Sequence, residues 1–98
     1  MKYSVYSVSI GQRTTRCVVT PKEIERRAHE FTFDALKNPR RAGELIALER
    51  GVKKLYGRHA TWIPDNGLPG FGQVMRWDDK LHAYNAITYR VRLDVEAV

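Results

Sequence analysis

The residues that could carry chemistry in this chain are few and scattered. His29, His59 and His82 lie far apart, without the HxH or HxxxH spacing that brings two imidazoles to one metal ion. They read as surface or capping residues. Cys17 is the only cysteine, so neither an internal disulfide nor a multi-thiolate zinc site can form. Asp78 and Asp79 are adjacent carboxylates, but neighbours in a strand or turn point apart, and turn aspartates commonly bond local amides. The stretch Gly67 to Gly72, GLPGFG, imitates a glycine-rich phosphate loop only in composition. Phosphate loops run from a strand into a helix N-terminus, whereas this one leads from a loop into a strand. The expectation is a non-enzymatic protein without metal or cofactor. An active site assembled only in three dimensions would need a deep polar pocket at His59 or His82 with converging acids.

Basic residues give a fuller pattern. Seventeen Lys and Arg stand against eleven Asp and Glu, a formal charge of +6. That balance favours an anionic partner: nucleic acid, an acidic protein surface or anionic lipid. One group falls on the second of two expected helices: Arg40, Arg41, Arg50, Lys54 and, if the helix persists, Arg58. Beside it runs a bare strip, Gly43, Ala47 and Gly51. A smooth helix side flanked by cations can approach a phosphate backbone closely. Alternatively, the small residues pack inward and the cations are simply solvated. A second group, Arg16, Arg76, Arg90 and Arg92, is expected on the open face of a sheet. Tyr3 is the one aromatic expected there, too few for the stacking platforms of sequence-reading RNA modules. Trp62, Leu68 and Phe33 are candidates for protein contact, since Trp is enriched at interface hot spots; a loop folded over the core edge is the competing reading.

The elements that must position these residues follow from local signals. Residues 3–10 and 13–19 alternate in polarity across Gly11-Gln12, which suits a two-residue type II′ turn. That register sets Tyr6, Val8, Ile10, Cys17 and Val19 on one, inward face, making Cys17 a core residue. Thr20-Pro21-Lys22-Glu23 is a capping box with proline at the first helical position. Ile24, Ala28, Phe31 and Ala35 then recur as one helical stripe, with Glu23/Arg27 and Arg26/Glu30 paired outside. Asn38-Pro39 ends that helix and starts the second, whose buried stripe is Leu45, Ile46, Leu48, Val52, Leu55 and Tyr56, with Gly57 as the C-terminal cap. Residues 57–70 lack a period, and Asp65-Asn66-Gly67 is a turn signal. A second hairpin follows, 71–77 and 87–96, turning at Asp78-Asp79-Lys80. The final strand is the most regular in the chain, which suggests a central place in the sheet.

These elements predict a single domain over 1–98. Its class is α+β, a two-layer sandwich of ββααββ order: a four-stranded, mainly antiparallel sheet with two helices on one face. The N-terminus lacks the continuous apolar run of a signal peptide, no run approaches the ~18–20 residues that cross a bilayer, and a cytoplasmic setting is expected. Two functions fit. One is a binding protein whose basic surface docks nucleic acid or another anionic macromolecule. The other is a small protein-binding inhibitor or adaptor, in character like the accessory proteins of phages and mobile elements, anti-defence proteins included. It would use the apolar loop and the second helix. Either a monomer or an edge-strand homodimer is compatible, the latter if the final strand lies outermost.

Overall fold

The structure, a computed structural model, describes residues 3–64 and 67–97; the Asp65-Asn66-Gly67 turn lies largely outside them. Strand β1 (Ser4–Ile10) and β2 (Arg13–Val19) form the first hairpin, in the register Ile10 to Arg13 and Tyr6 to Cys17. Gly11 has φ +66° and Gln12 is not left-handed, as a II′ turn requires. Tyr6, Val8, Ile10, Cys17 and Val19 are all buried and form the sheet side of the core.

Helix α1 is short, Pro21–Arg26. Its capping box forms on one side: the Thr20 hydroxyl accepts from the Glu23 amide at 3.3 Å, while the Glu23 carboxylate pairs with Arg50 instead of reaching back. The long first helix expected from the 24-28-31-35 stripe does not form. A 3-10 turn, Ala28–Glu30, follows α1, and Phe31 is extended. Phe31-Thr32-Phe33 is a run of poor helix formers, and the two phenyl rings pack on each other at 5.3 Å. Arg27 bonds Glu30 and also reaches Glu49 of the next helix, ties that replace the expected i,i+4 pairs. The stripe residues are still buried or half-buried, so the pattern reported burial correctly and conformation incorrectly.

Helix α2 (Pro39–Tyr56) has Asn38 as N-cap, its side chain accepting from Arg41, and Gly57 with φ +115° at the C-terminal end. It lies across β1 and β2. The bare strip faces the sheet: Gly43, Ala47 and Gly51 are buried. A Cβ at Gly51 would stand 2.7 Å from Val8 Cγ1, so glycine sets how near the helix comes. Leu45, Leu48 and Leu55, expected at the centre, are half-buried at its margins.

Three strands complete the sheet, one more than expected: β3 (Thr61–Pro64), β4 (Phe71–Asp78) and β5 (Ala83–Ala97). The extra strand is only four residues, too short for a visible alternation, and proline ends it. All pairings are antiparallel and the order is β2-β1-β5-β4-β3. β5 is therefore central, as its pattern suggests, and is not the outermost strand of the sheet. Its two halves serve different neighbours. Residues 91–97 pair with β1, and residues 83–90 pair with β4. The sheet is thus staggered. The far end of the β4–β5 hairpin projects from the body as an arm, with residues 79–88 exposed throughout, in a molecule of 45 × 27 × 26 Å.

Candidate binding surfaces

The expected cation groups are redistributed by the fold. Arg50 donates to the Val18 carbonyl at 2.8 Å and pairs with Glu23. Lys54 donates to the Arg16 carbonyl at 2.9 Å. Both therefore cover the outer edge of β2. Arg40 pairs with Glu44, and Arg41 lies over the Phe33 ring at 4.7 Å. The small residues pack inward, which is the alternative reading of the strip, though against β1 of the sheet, and no smooth cationic side forms on the second helix.

At the C-terminal end of α2 the cations behave differently. Arg13 donates to the Leu55 carbonyl at 2.7 Å, and Arg76 to the Tyr56 carbonyl at 3.3 Å. Lys53 reaches the Ala60 carbonyl at 3.1 Å. These acceptors are neutral, and the Leu55 and Tyr56 carbonyls lie where the helix dipole favours positive charge. Among the described residues none of these three cations is paired with a carboxylate, unlike Arg16, Arg27, Arg40, Arg50 and Arg92. The guanidiniums of Arg13 and Arg76 both lie over the Tyr56 ring, at 4.8 and 5.7 Å. Arg58 is exposed beside them.

Of these residues, Tyr56, Arg58 and Arg76 border a cleft of about 700 Å³ between the end of α2 and the arm. Its walls carry Arg58, His59, Arg76 and Lys80 on a path between Tyr56 and the arm residues Trp77, Asn85 and Ile87. Asp78 and Asp79 line it too, so one histidine and two acids share the cleft. Each is engaged by a near neighbour in the chain. Asp78 accepts from the Lys80 and Leu81 amides, Asp79 accepts from the Trp77 indole at 2.9 Å, and His59 Nε2 accepts from Arg58. Among the described residues no three of His, Cys, Asp and Glu converge as a metal-holding group. Burial pushes the Cys17 thiol above its ordinary range, with Lys54 and Arg50 pulling the other way, so the thiol is held protonated in the core.

The sheet arginines do not share one face. Arg76 stands opposite Asn85, next to Val74 opposite Ile87 in the ladder, and its bond to Tyr56 sets it on the helix side. Alternation of direction along a strand misplaced it, because β4 turns its even-numbered residues inward. The open face holds Arg16 paired with Glu96 at 2.6 Å, Arg92 paired with Asp94 at 3.1 Å, and Arg90 over the Phe71 ring at 5.3 Å. It is richer in aromatics than expected. Phe71, Trp77 and Tyr84 lie there with Met75; Trp77 and Tyr84 meet edge to face at 5.3 Å and are 49% and 68% exposed. The odd-numbered alternation Phe71, Gln73, Met75, Trp77 was visible in the sequence, but which side it takes depends on the neighbour of β4.

Of the apolar candidates, Trp62 is half-buried over the backbone of Gly72, where a Cβ would overlap its indole. It closes the core edge. Phe33 is half-buried between Phe31 and Arg41, and Leu68 alone is exposed. An apolar groove of about 710 Å³ lies instead at the opposite end of the molecule, between Tyr3, Ile24, Leu36, Pro39 and Val95. No helix among the described residues is long and apolar enough to cross a membrane.

The fold is an α+β sandwich with one antiparallel sheet of five strands and two helices. Compared with known proteins, the chain matches no family model, no curated protein and no solved structure.

Proposed function

We propose that this protein is a non-enzymatic nucleic-acid-binding protein that grips the phosphate backbone at the C-terminal end of α2 and lays the β4–β5 arm along the strand or groove. The observation that carries this reading is the set Arg13, Lys53, Arg58 and Arg76, whose hydrogen-bond partners are backbone carbonyls or the His59 ring nitrogen and not carboxylates. Uncompensated cations around a concave surface attract a polyanion and release its counterions. A two-stranded ribbon fits the major groove of a duplex. Exposed Trp77 and Tyr84 at the arm end suit stacking on unpaired bases.

Fluorescence anisotropy with labelled single-stranded and duplex oligonucleotides tests the reading. Arg58→Glu combined with Lys80→Glu lowers affinity about tenfold or more, by removing two contacts and adding repulsion. Arg40→Glu, at the far end of α2, leaves affinity nearly unchanged. Equal effects from both would remove the cleft from the account.

The second reading, a protein-binding inhibitor or adaptor, is favoured by one observation: the apolar groove with Leu36 63% exposed at its rim. Exposed apolar surface rimmed by polar residues marks contact sites. Leu36→Glu discriminates the two readings, since it blocks a partner seated in that groove and leaves oligonucleotide binding intact.

A further inference from the structure

The stagger of the sheet leaves part of its most central strand with an open edge. Arg90 accepts from the Gly11 amide, and Val91 donates to the Gly70 carbonyl. Even-numbered residues of β5 therefore direct their backbone groups toward the β1 side, and odd-numbered ones toward β4. β1 ends at Ile10, opposite Val91. Among the described residues nothing pairs with the β1 side of Tyr84, Ala86 and Thr88, and all three are exposed.

The other edges are guarded. Arg50 and Lys54 occupy carbonyls along β2. β3 is four residues long and ends in Pro64. The β4 side of residues 93–97, which meets no strand among the described residues, runs between Arg92, Asp94 and Glu96. Charge, proline and shortness are the usual defences of sheet edges. The arm edge has none: Ala83 to Tyr89, AYNAITY, holds no charge, glycine or proline and is rich in strand-forming residues. In a chain of formal charge +6, this is the segment along which two copies meet without opposing like charges.

We propose that the protein self-associates as a two-fold dimer in which the Tyr84–Thr88 edges of two arms pair antiparallel. An edge of this kind is self-complementary, because antiparallel pairing joins each even-numbered residue to an even-numbered residue of the other copy. The result is a continuous ribbon of two arms, with Tyr84 and Trp77 of each copy on one face and Ile87 on the other. Edge pairing alone covers less than a standard interface, so the dimer is weak and concentration-dependent. The inference stands apart from the nucleic-acid reading, and its test contains no nucleic acid.

Sedimentation equilibrium of the full chain over a wide concentration range provides the test. The average mass climbs from 11.3 kDa toward twice that value as concentration rises. Ala86→Lys, which sets lysines beside each other across the two-fold axis, stays at the monomer mass. Ala86→Pro, which removes an amide aimed at the open edge and none aimed at β4, does the same and serves if the lysine variant folds poorly. Hydrogen exchange identifies the contact: the amides of Tyr84, Ala86 and Thr88 gain protection with concentration, and those of Asn85 and Ile87 do not change. A wild-type mass that stays monomeric to the solubility limit overturns the proposal. So does association that survives both substitutions, or protection gained elsewhere.

Discussion

The ammonium of Lys54 donates to the carbonyl of Arg16 at 2.9 Å, so a helix residue closes a hydrogen-bonding site on the outer edge of strand β2. Arg50 does the same one turn earlier, at the Val18 carbonyl. Replacing both by alanine uncovers that edge and strands the Glu23 carboxylate, which is Arg50's partner. The expected cost is about 1–3 kcal/mol, seen as a lower midpoint in urea. The double variant also aggregates more readily on warming, measured by light scattering at matched fractions folded.

Gly51 touches Val8 through its missing side chain. In an open helix, Gly51→Ala would gain about 1 kcal/mol. Here the added methyl meets Val8 Cγ1 at 2.7 Å, and overpacking of about 1–3 kcal/mol outweighs the gain. Combining it with Val8→Ala, which clears the space, costs less than the two single changes added together. Strict additivity in chemical denaturation would contradict this close approach.

Tyr56 ties the helix end to the first hairpin: its hydroxyl donates to the Ile10 carbonyl at 2.7 Å, and its ring meets Tyr89 at 5.1 Å. Tyr56→Phe is expected to cost about 1–2 kcal/mol, since the buried bond to the Ile10 carbonyl is lost. Burial first, and then the neighbouring Tyr89, raise the Tyr56 hydroxyl above its ordinary value of 10.0. The folded state then holds a proton that the unfolded state has released, so this contribution is full below pH ~10 and is lost as pH rises past the folded value. Tyr6 is raised in the same direction, chiefly by burial. Stability measured against pH therefore falls on the alkaline side, and less steeply in Tyr56→Phe.

Cys17 is 1% exposed with its thiol held protonated. Its modification by a thiol reagent at neutral pH proceeds at the rate of unfolding or local opening, and urea accelerates it. Rapid labelling of the native protein would place the residue outside the core.

The local signals of the sequence carried through to the structure where a single element determines them. The Gly11 turn, the Thr20 and Asn38 caps, the inward face of the first hairpin and the regular final strand are of this kind. What depends on neighbours was legible only as alternatives, or not at all. The small residues of α2 face β1 because a strand lies close enough to need them. Arg76 faces the helix because β4 pairs with β5 in one register. Trp62 is covered because Gly72 gives it room. The cation set at the end of α2 joins Arg13 to Arg76 through Tyr56, a meeting of three distant segments that no spacing announces. Its one sequence clue was that Lys53 and Arg58 flank the end of the helix with no acid between them.

The most direct test of the proposed function is the salt dependence of oligonucleotide binding. Affinity of the wild-type protein is expected to fall linearly on a log–log plot against salt, with a slope of about −2 to −4 from the cations around the cleft. Arg58→Glu with Lys80→Glu makes that slope shallower by about 1–2. Binding that is absent at low salt, or whose slope is unaltered by the two substitutions, would contradict the account.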